Sequence, residues 1–275
     1  MTPRKPAAHR RNTAARPPRR SGAPEAASPA RPVARPRGYW LYGRHAVTAA
    51  LANPARRKYR LVATGNAARD LGPLPPSLAV DLVRSPRDID ALLPPGSVHQ
   101  GLALDVAPLD GPALDDVLEA LGRAPAVILV LDQVTDPHNV GAILRSAAAF
   151  SAAAVITTDR QAAAESGALA KAASGALDLV PYVSVVNLAR ALDQLADAGF
   201  WRVGLEGETD TLLTDSINDP RIALVMGAEG TGLRRLTRDH CDSLAKLPIS
   251  SAMESLNVSN AAAIALYECA RRNTG

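Results

Sequence analysis

Three separated segments of the chain carry the polar and glycine residues that are best suited to chemistry. They are residues 136–145 (DPHNVGAILR), residues 226–232 (MGAEGTG) and residues 255–260 (SLNVSN). In each case an apolar, β-prone run precedes a turn rich in Gly, Asn, Pro or Ser, and a helical pattern follows. Such turns gather at the carboxyl ends of the strands of a parallel sheet, where ligands bind. The three segments are therefore predicted to line one pocket.

The glycines at positions 227, 230 and 232 follow a strand-like run and precede a helical one, as a phosphate-binding loop would. Their spacing is G-x-x-G-x-G, not the G-x-G-x-x-G of a dinucleotide-binding loop, and no G-K-S/T follows. A Rossmann-type dehydrogenase and a P-loop protein are therefore disfavoured. The glycines are predicted to allow a close approach of backbone segments without cradling a phosphate.

Polar side chains in these segments have structural as well as catalytic interpretations. Asn139 follows an Asp-Pro pair, a strong helix-start signal, and helix capping is the structural alternative for Asn139, Ser255 and Asn257. Arg145 lies six residues after Asn139, about 120° around the helix axis, so the two do not form an i, i+4 pair. Arg145 is either a solvent-facing residue or a group that binds a partner or a carboxylate. Glu229 either holds Arg145 or is a surface carboxylate beside a turn.

The three segments resemble, in order, the motifs of the SpoU (TrmH-like) family of RNA ribose 2′-O-methyltransferases, within the SPOUT α/β-knot superfamily. The resemblance covers residues 39–272. Two weaker markers, residues 42–47 (YGRHAV) and 99–102 (HQGL), are most similar to the branch that methylates a guanosine of bacterial 23S rRNA.

The resemblance implies methyl transfer from S-adenosylmethionine to a ribose 2′-hydroxyl in RNA, with a guanosine of 23S rRNA as the preferred target. The residues that it implies for catalysis are Asn139, Arg145, Glu229, Ser255 and Asn257. Those that it implies for S-adenosylmethionine binding are Gly227, Leu247 and Leu256, although core packing is the alternative for the two leucines. Because the pKa of an arginine lies above ~12, we interpret Arg145 mainly as a group that orients the RNA phosphate or ribose.

The resemblance also implies a homodimer built through the catalytic domains and a trefoil knot, which nothing in the residue spacing reveals. A tRNA guanosine is the rival substrate. A catalytically silent RNA-binding ribosome-assembly factor is a further alternative, which the presence of all five polar residues disfavours. Neither DNA nor a membrane is expected as a partner.

Composition favours an α/β fold. Apolar residues make up 47% of the 275 residues and aromatic residues only 3%, which suits a parallel sheet buried by helices on both faces. The strands are predicted near residues 127–132, 153–158, 201–205, 222–226 and 244–247, and the helices near 139–150, 165–173, 187–197, 232–240 and 257–272. Such alternation is typical of a mostly parallel sheet.

The first half of the chain predicts a smaller α/β module, with a helix over 44–53, a strand over 59–64 after a basic patch at 56–58, a short helix over 86–93 and a strand over 101–106. By resemblance this module is similar to ribosomal protein L30e. The expected domains are a disordered basic Pro/Arg-rich extension (1–38), an L30e-like RNA substrate-binding domain (39–107), a linker containing a helix over 113–121 (108–124), and a SPOUT methyltransferase domain (125–275).

Charge is divided unevenly along the chain. Residues 1–38 contain ten Lys or Arg and one Glu, whereas the remainder has 21 basic and 26 acidic residues. The extension is interpreted either as an arm that follows RNA phosphates, with salt-sensitive affinity, or as a solubilising tail. A mitochondrial transit peptide is the less favoured alternative, because eight prolines oppose an amphipathic helix.

Cysteine and histidine usage indicates neither a disulfide framework nor a metal site. Cys241 and Cys269 lack metal-ligand spacing, and no H-x-x-x-H pattern occurs. With no secretory signal or apolar run of about 20 residues, a reduced cytoplasmic protein is expected.

Overall fold

The structure, a computed structural model, describes residues 1–2, 36–160, 162–250 and 252–273. The predicted basic extension therefore lies almost wholly outside the described residues. The described residues from 36 onward form one compact unit that contains a four-stranded sheet and a six-stranded sheet. No helix in the described ranges has both the length and the apolar character that a membrane span requires.

The first sheet is mixed and has the order β1-β4-β2-β3. Strand β4 is antiparallel to β1 and β2, and β2 is parallel to β3. The predicted elements are confirmed, and β1, α2 and β3 are additions. The elements are β1 (Tyr39–Tyr42), α1 (Arg44–Ala52), β2 (Lys58–Thr64), α2 (Gly65–Arg69), β3 (Ala79–Val83), α3 (Pro86–Asp90) and β4 (Leu102–Val106).

The second sheet is parallel throughout, with the order β10-β8-β9-β5-β6-β7, which confirms the predicted parallel sheet. All predicted helices and strands are present, and β7, α8 and a 3-10 turn are additions. The elements are α4 (Leu114–Leu121), β5 (Ala126–Leu131), α5 (Pro137–Ala149), β6 (Ala154–Thr158), α6 (Gly167–Ala173), the 3-10 turn (Ala176–Asp178), β7 (Tyr182–Val185), α7 (Leu188–Asp197), β8 (Trp201–Leu205), α8 (Leu213–Ser216), β9 (Arg221–Met226), α9 (Arg235–Asp239), β10 (Ser243–Ala245) and α10 (Val258–Asn273).

Helices cover both faces of the parallel sheet, as the continuous apolar runs require. In β5 all six residues are buried, and alternate ones face opposite sides. Leu129 packs with α5, α6 and α10, whereas Ile128 and Val130 pack with α4 and α7. The first face also shares one hydrophobic cluster with residues of the four-stranded sheet, such as Leu61 and Leu104.

The junction of the two sheets contains a buried arginine. Arg56 has no exposed side-chain surface and donates to both oxygens of Asp178, with Nε–Oδ1 at 2.9 Å and Nη2–Oδ2 at 3.0 Å. Its Nη1 also pairs with Glu165, which accepts a hydrogen bond from the hydroxyl of Tyr39. Burial alone would lower the pKa of Arg56, but hydrogen bonds to Asp178 and Glu165 raise it overall. The cluster joins β1 and the segment before β2 to the segments around α6.

This cluster corrects the predicted basic patch at residues 56–58. Besides the buried Arg56, the Lys58 ammonium donates to the carbonyls of Ala50 and Asn53, at 3.2 and 2.6 Å, at the end of α1. Only Arg57 is exposed. Sequence proximity of three basic residues did not distinguish a solvated face from a buried ion cluster.

The two weaker sequence markers lie together at the start of α1. Gly43 has no side chain to cap the helix, and Gln100 Oε1 instead accepts a hydrogen bond from the amide of Arg44 at 2.9 Å. Gln100 itself has a left-handed φ of 56°. Lys171 of α6 also reaches Gln100 Oε1, at 3.4 Å. Gln100 therefore holds the start of α1 next to α6, a helix that packs on the parallel sheet.

Both cysteines are free thiols. Burial raises the pKa of Cys241 and of Cys269 to about 12, so both thiols are protonated at neutral pH.

Replacement of Arg56 by alanine is expected to lower the free energy of unfolding by about 3–5 kcal/mol, because it leaves the buried Asp178 carboxylate without its cation. Urea unfolding measures this loss. The control is Arg57→Ala, an exposed neighbour whose removal is expected to change stability by less than about 0.5 kcal/mol. Equal stabilities of the two variants would contradict the assigned role of Arg56.

Candidate active site

The candidate site lies where the order of the parallel strands reverses. Strands β5 and β9 are neighbours in the sheet, but the chain continues from β5 toward β6 and β7, on the side away from β9. A crevice forms at the carboxyl ends of strands at such a switch point. The turns after β5 and β9 are two of the three predicted segments. The third reaches them through α10, which packs on α5.

Asn139 does not cap α5, because another residue is the N-cap of that helix. Asp136 is the N-cap, because its carboxylate accepts the amide of His138 at 2.9 Å, and Pro137 occupies the first turn. Capping is therefore the wrong interpretation for Asn139, whose half-buried side chain points to other segments.

The turn after β9 confirms the predicted close approach of backbone segments. A Cβ added to Gly227 would lie 2.2 Å from the carbonyl carbon of Gly232. The amide of Gly232 donates to the carbonyl of Ala228 at 2.9 Å, and Gly230 and Gly232 have positive φ values of 79° and 64°. Only glycine adopts this folded-back path at low cost, and the path places Glu229 at its tip.

The start of α10 gives Asn257 two roles at once. Its Oδ1 accepts hydrogen bonds from the amide and the hydroxyl of Ser259, at 2.9 and 2.5 Å, as a helix cap does. Its Nδ2 donates to Asn139 Oδ1 at 3.0 Å and to Glu229 Oε1 at 2.5 Å. The capping interpretation of Asn257 is thus correct, and the same side chain also joins the other two segments.

Glu229 joins the three segments. Its Oε1 accepts from Asn139 Nδ2 at 3.1 Å, from Asn257 Nδ2 at 2.5 Å and from the amide of Val258 at 3.2 Å. Hydrogen bonds to an ionised acceptor are stronger than neutral ones. The other carboxylate oxygen, Oε2, accepts none from the described part of the chain. The arrangement fixes two amide side chains and leaves one carboxylate oxygen for a further donor.

Two predicted residues stand apart from this network. Arg145 is exposed on α5 and has no hydrogen-bond or ion-pair partner among the residues that the structure describes. Glu229 does not hold Arg145 in the described structure, because its hydrogen bonds go to the two asparagines and the amide of Val258. Ser255 is exposed in the turn before α10 and makes no hydrogen bond within the described ranges.

The three predicted cofactor contacts lie on the segments after β9 and β10. Leu247 is partly buried and packs on the core. The preceding residue, Lys246, is fixed by two backbone hydrogen bonds of 2.9 Å, to the carbonyl of Thr211 and from the amide of Leu213. Leu256 is half-buried and precedes Asn257. Gly227 has no side chain, and the backbone of Gly232 fills the position that its Cβ would take. Partly buried leucine side chains and a glycine backbone are groups whose chemistry suits a ligand that lacks phosphate groups.

Metal ligands are not grouped in the described ranges. No cluster of three or more His, Cys, Asp or Glu side chains occurs in them.

A profile of the SpoU rRNA methylase family matches residues 126–267, which include all three segments. The chain belongs to the SpoU rRNA methylase family. Its similarity to individual members extends beyond the matched region. It is 41% identical over 242 residues to the 23S rRNA (guanosine-2′-O-)-methyltransferase RlmB of Pseudomonas syringae, covering 85% of this chain and 96% of the relative. The RlmB of Salmonella typhimurium is also 41% identical, over 85% of this chain and 98% of its own.

Solved structures of the family share the fold. The SpoU methyltransferase AviRb of Streptomyces viridochromogenes aligns with a TM-score of 0.73, at 24% identity, over 86% of this chain and 90% of its own. An AdoMet-bound rRNA methyltransferase of Sinorhizobium meliloti aligns with a TM-score of 0.69, at 21% identity, over 86% and 87%. The predicted SPOUT-type α/β fold is confirmed, whereas the trefoil knot stays a prediction.

One contact at the site was missed from the sequence. Asp132, directly after β5, is fully buried and pairs with Arg234, with Nε–Oδ1 at 2.6 Å. The available signal was an aspartate that ends the apolar run of β5, since a carboxylate there needs a partner. The identity of that partner, 102 residues later, was not accessible from spacing.

Gly227→Ala is expected to destabilise the protein by about 1–3 kcal/mol, because the new methyl group would overlap the backbone of Gly232. Thermal unfolding measures the loss. Gly207→Ala is the matched control, since a Cβ at Gly207 meets nothing within 4 Å and its φ is not in the left-handed range. An unchanged melting temperature in Gly227→Ala would contradict the close approach.

Proposed function

We propose that the chain transfers a methyl group from S-adenosylmethionine to the ribose 2′-hydroxyl of a guanosine in 23S rRNA. The observation that carries this proposal is the Glu229 network, which joins the three motif segments of the family at the switch point of the sheet. The substrate follows from the two RlmB relatives described above, which are named 23S rRNA (guanosine-2′-O-)-methyltransferases and which this chain matches over 96% and 98% of their length.

S-adenosylmethionine fits the residues that are present. When bound, it supplies an electrophilic methyl group on a sulfonium sulfur. Gly227 would hold it through main-chain groups, and Leu247 and Leu256 through apolar contact. The carboxylate of Glu229 and the half-buried position of the two leucines suit a cationic donor without phosphates.

The polar residues would position the attacking ribose. Asn139 and Asn257 are held by Glu229 Oε1, so their orientation is set before substrate binds. Orientation of the two bound reactants can supply ~7–11 kcal/mol of a barrier. Glu229 Oε2 would accept a hydrogen bond from the 2′-hydroxyl. The exposed Arg145 and Ser255 are proposed as RNA-facing groups, with Arg145 orienting a phosphate or the ribose.

The remaining parts of the chain would deliver the RNA. The residues expected as an L30e-like domain, 39–107, are proposed to bind rRNA. The basic extension would add non-specific phosphate contacts. Such an enzyme would act where rRNA is made and assembled, in the cytoplasm of a bacterial cell.

The test is a map of ribose methylation across all cellular RNA in a strain from which the gene is deleted. We expect one guanosine of 23S rRNA to lose its 2′-O-methyl group, and purified protein with S-adenosylmethionine to restore it. Loss of methylation in a tRNA instead would favour the rival substrate. An unchanged map, together with no methylation of rRNA by the purified protein, would favour the catalytically silent assembly factor.

Glu229→Ala is expected to lower kcat/KM of the purified enzyme by about 100-fold, because both asparagine side chains and the amide of Val258 lose their acceptor. Glu119→Ala, an exposed carboxylate on α4, is the control and is expected to match the wild type. A Glu229→Ala enzyme with wild-type turnover would refute the role of the network.

A homodimer is part of the proposal, and its interface would use α10. Ile264 and Tyr267 lie three residues apart on one face of α10 and are 42% and 50% exposed. Tyr267 meets the ring of Phe150, at the end of α5, edge to face at 6.1 Å. A second copy would cover both side chains with the same patch, as a two-fold interface does.

The dimer is tested by light scattering. The wild type is expected at twice its chain mass of 28.7 kDa, and Tyr267→Glu at the mass of one chain, because it places a charge in the proposed interface. Val186→Glu alters a side chain that is 84% exposed elsewhere and should stay dimeric. A monomeric wild type, or a dimeric Tyr267→Glu, would contradict the proposed interface.

A further inference from the structure

Asp132 is a buried carboxylate for which the proposed chemistry has no direct use. It follows the last residue of β5, and its side chain has no exposed surface. A carboxylate in such a position is costly unless it is paired and hydrogen-bonded. Its partners therefore indicate why the charge is kept there.

Those partners lie at both ends of the turn after β9. The amide of Asp132 donates to the carbonyl of Met226 at 2.8 Å. Its Oδ2 accepts the amide of Arg234 at 3.0 Å, and its Oδ1 accepts Arg234 Nε at 2.6 Å. Met226 and Arg234 directly flank residues 227–233. One residue thus fixes both ends of this loop to the end of β5.

One other part of the loop, Leu233, is buried in the core. Inside the loop, the amide of Gly232 bonds to Ala228, and beyond it the Glu229 side chain reaches the two asparagines. The loop carries both Gly227 and Glu229. The Asp132–Arg234 pair and the buried Leu233 together set the position of these two residues relative to β5.

Asp132 is also close in sequence to the segment that carries Asn139. The chain turns at residue 133, which has a left-handed φ of 60°, and enters α5 at the cap Asp136, three residues before Asn139. The same residue is therefore joined covalently to the Asn139 segment and through hydrogen bonds to the Glu229 segment. It sets the spacing between them.

We propose that Asp132, acting through Arg234, is a positioning residue for methyl transfer, and that it holds the 227–233 loop in the form that binds the methyl donor and orients Glu229. The inference rests on the proposed function. A merely structural ion pair would stabilise the fold without altering donor binding, and this difference separates the two roles.

The experiment compares Asp132→Asn, Arg234→Gln and the double variant. In Arg234→Gln the amide of residue 234 can still donate to Asp132 Oδ2, and in the double variant no unpaired charge is buried, so at least one variant is expected to stay folded. In each variant we expect the KM for S-adenosylmethionine and the Kd for S-adenosylhomocysteine, measured by calorimetry without RNA, to rise about tenfold. Because the two residues act as one unit, the double variant should be no worse than the weaker-binding single variant.

Arg235→Gln is the control. Arg235 is the adjacent arginine, its side chain is 95% exposed, and its contact with Asp239 is a loose 3.7 Å pair on the helix surface. It should bind the donor as the wild type does. KM and Kd values of Arg234→Gln within twofold of this control, or a loss of melting temperature alone, would overturn the inference. A wild type that neither binds the donor nor methylates RNA would instead overturn the proposed function.

Discussion

One carboxylate oxygen, Glu229 Oε1, accepts hydrogen bonds from three donors on two other segments, and the geometry of the site depends on it. The donors lie 90 and 28–29 residues away along the chain. Hydrogen bonds to a charged acceptor contribute about 1.5–3 kcal/mol each, so this group can keep the turns together although most of their side chains are half-buried or exposed. Three surface turns thereby become one polar surface of fixed geometry.

The fold brings together the turns that meet at Glu229. Parallel strands place the turns after β5 and β9 side by side, and glycines at 227 and 232 let the second turn fold back on itself. Asp132 ties this turn to β5, and Asn257 caps the helix that packs on α5. The buried Arg56 cluster adds a second constraint, since it joins the four-stranded sheet to the parallel one through charges that need each other.

Local pattern predicted much of this architecture. Apolar runs followed by Gly- or Asn-rich turns identified the strands of the parallel sheet and the segments of the site, because burial on both faces leaves a direct mark on the sequence. The local pattern did not predict short strands of mixed polarity. Strand β3 is exposed along four of its five residues, and β7 buries only one of its four, so neither shows a strong apolar period.

Contacts between residues far apart in the sequence could not be predicted, for a different reason: local pattern carries no information about distant partners. Arg56 was grouped with its basic neighbours, but its carboxylates lie 109 and 122 residues away. Asn139 matched a helix cap as well as a site residue, and only the position of Asp136 ruled out the cap. Arg145 and Ser255 were predicted with the others, yet the structure leaves both exposed and outside the Glu229 network.

The most direct test of this account is a crystal structure of the protein with S-adenosylhomocysteine bound. The account predicts that the ligand contacts the backbone at Gly227 and the side chains of Leu247 and Leu256, beside an intact hydrogen-bonded group of Asn139, Glu229 and Asn257. A ligand bound elsewhere, or the three turns separated with Glu229 free of both asparagines, would contradict it.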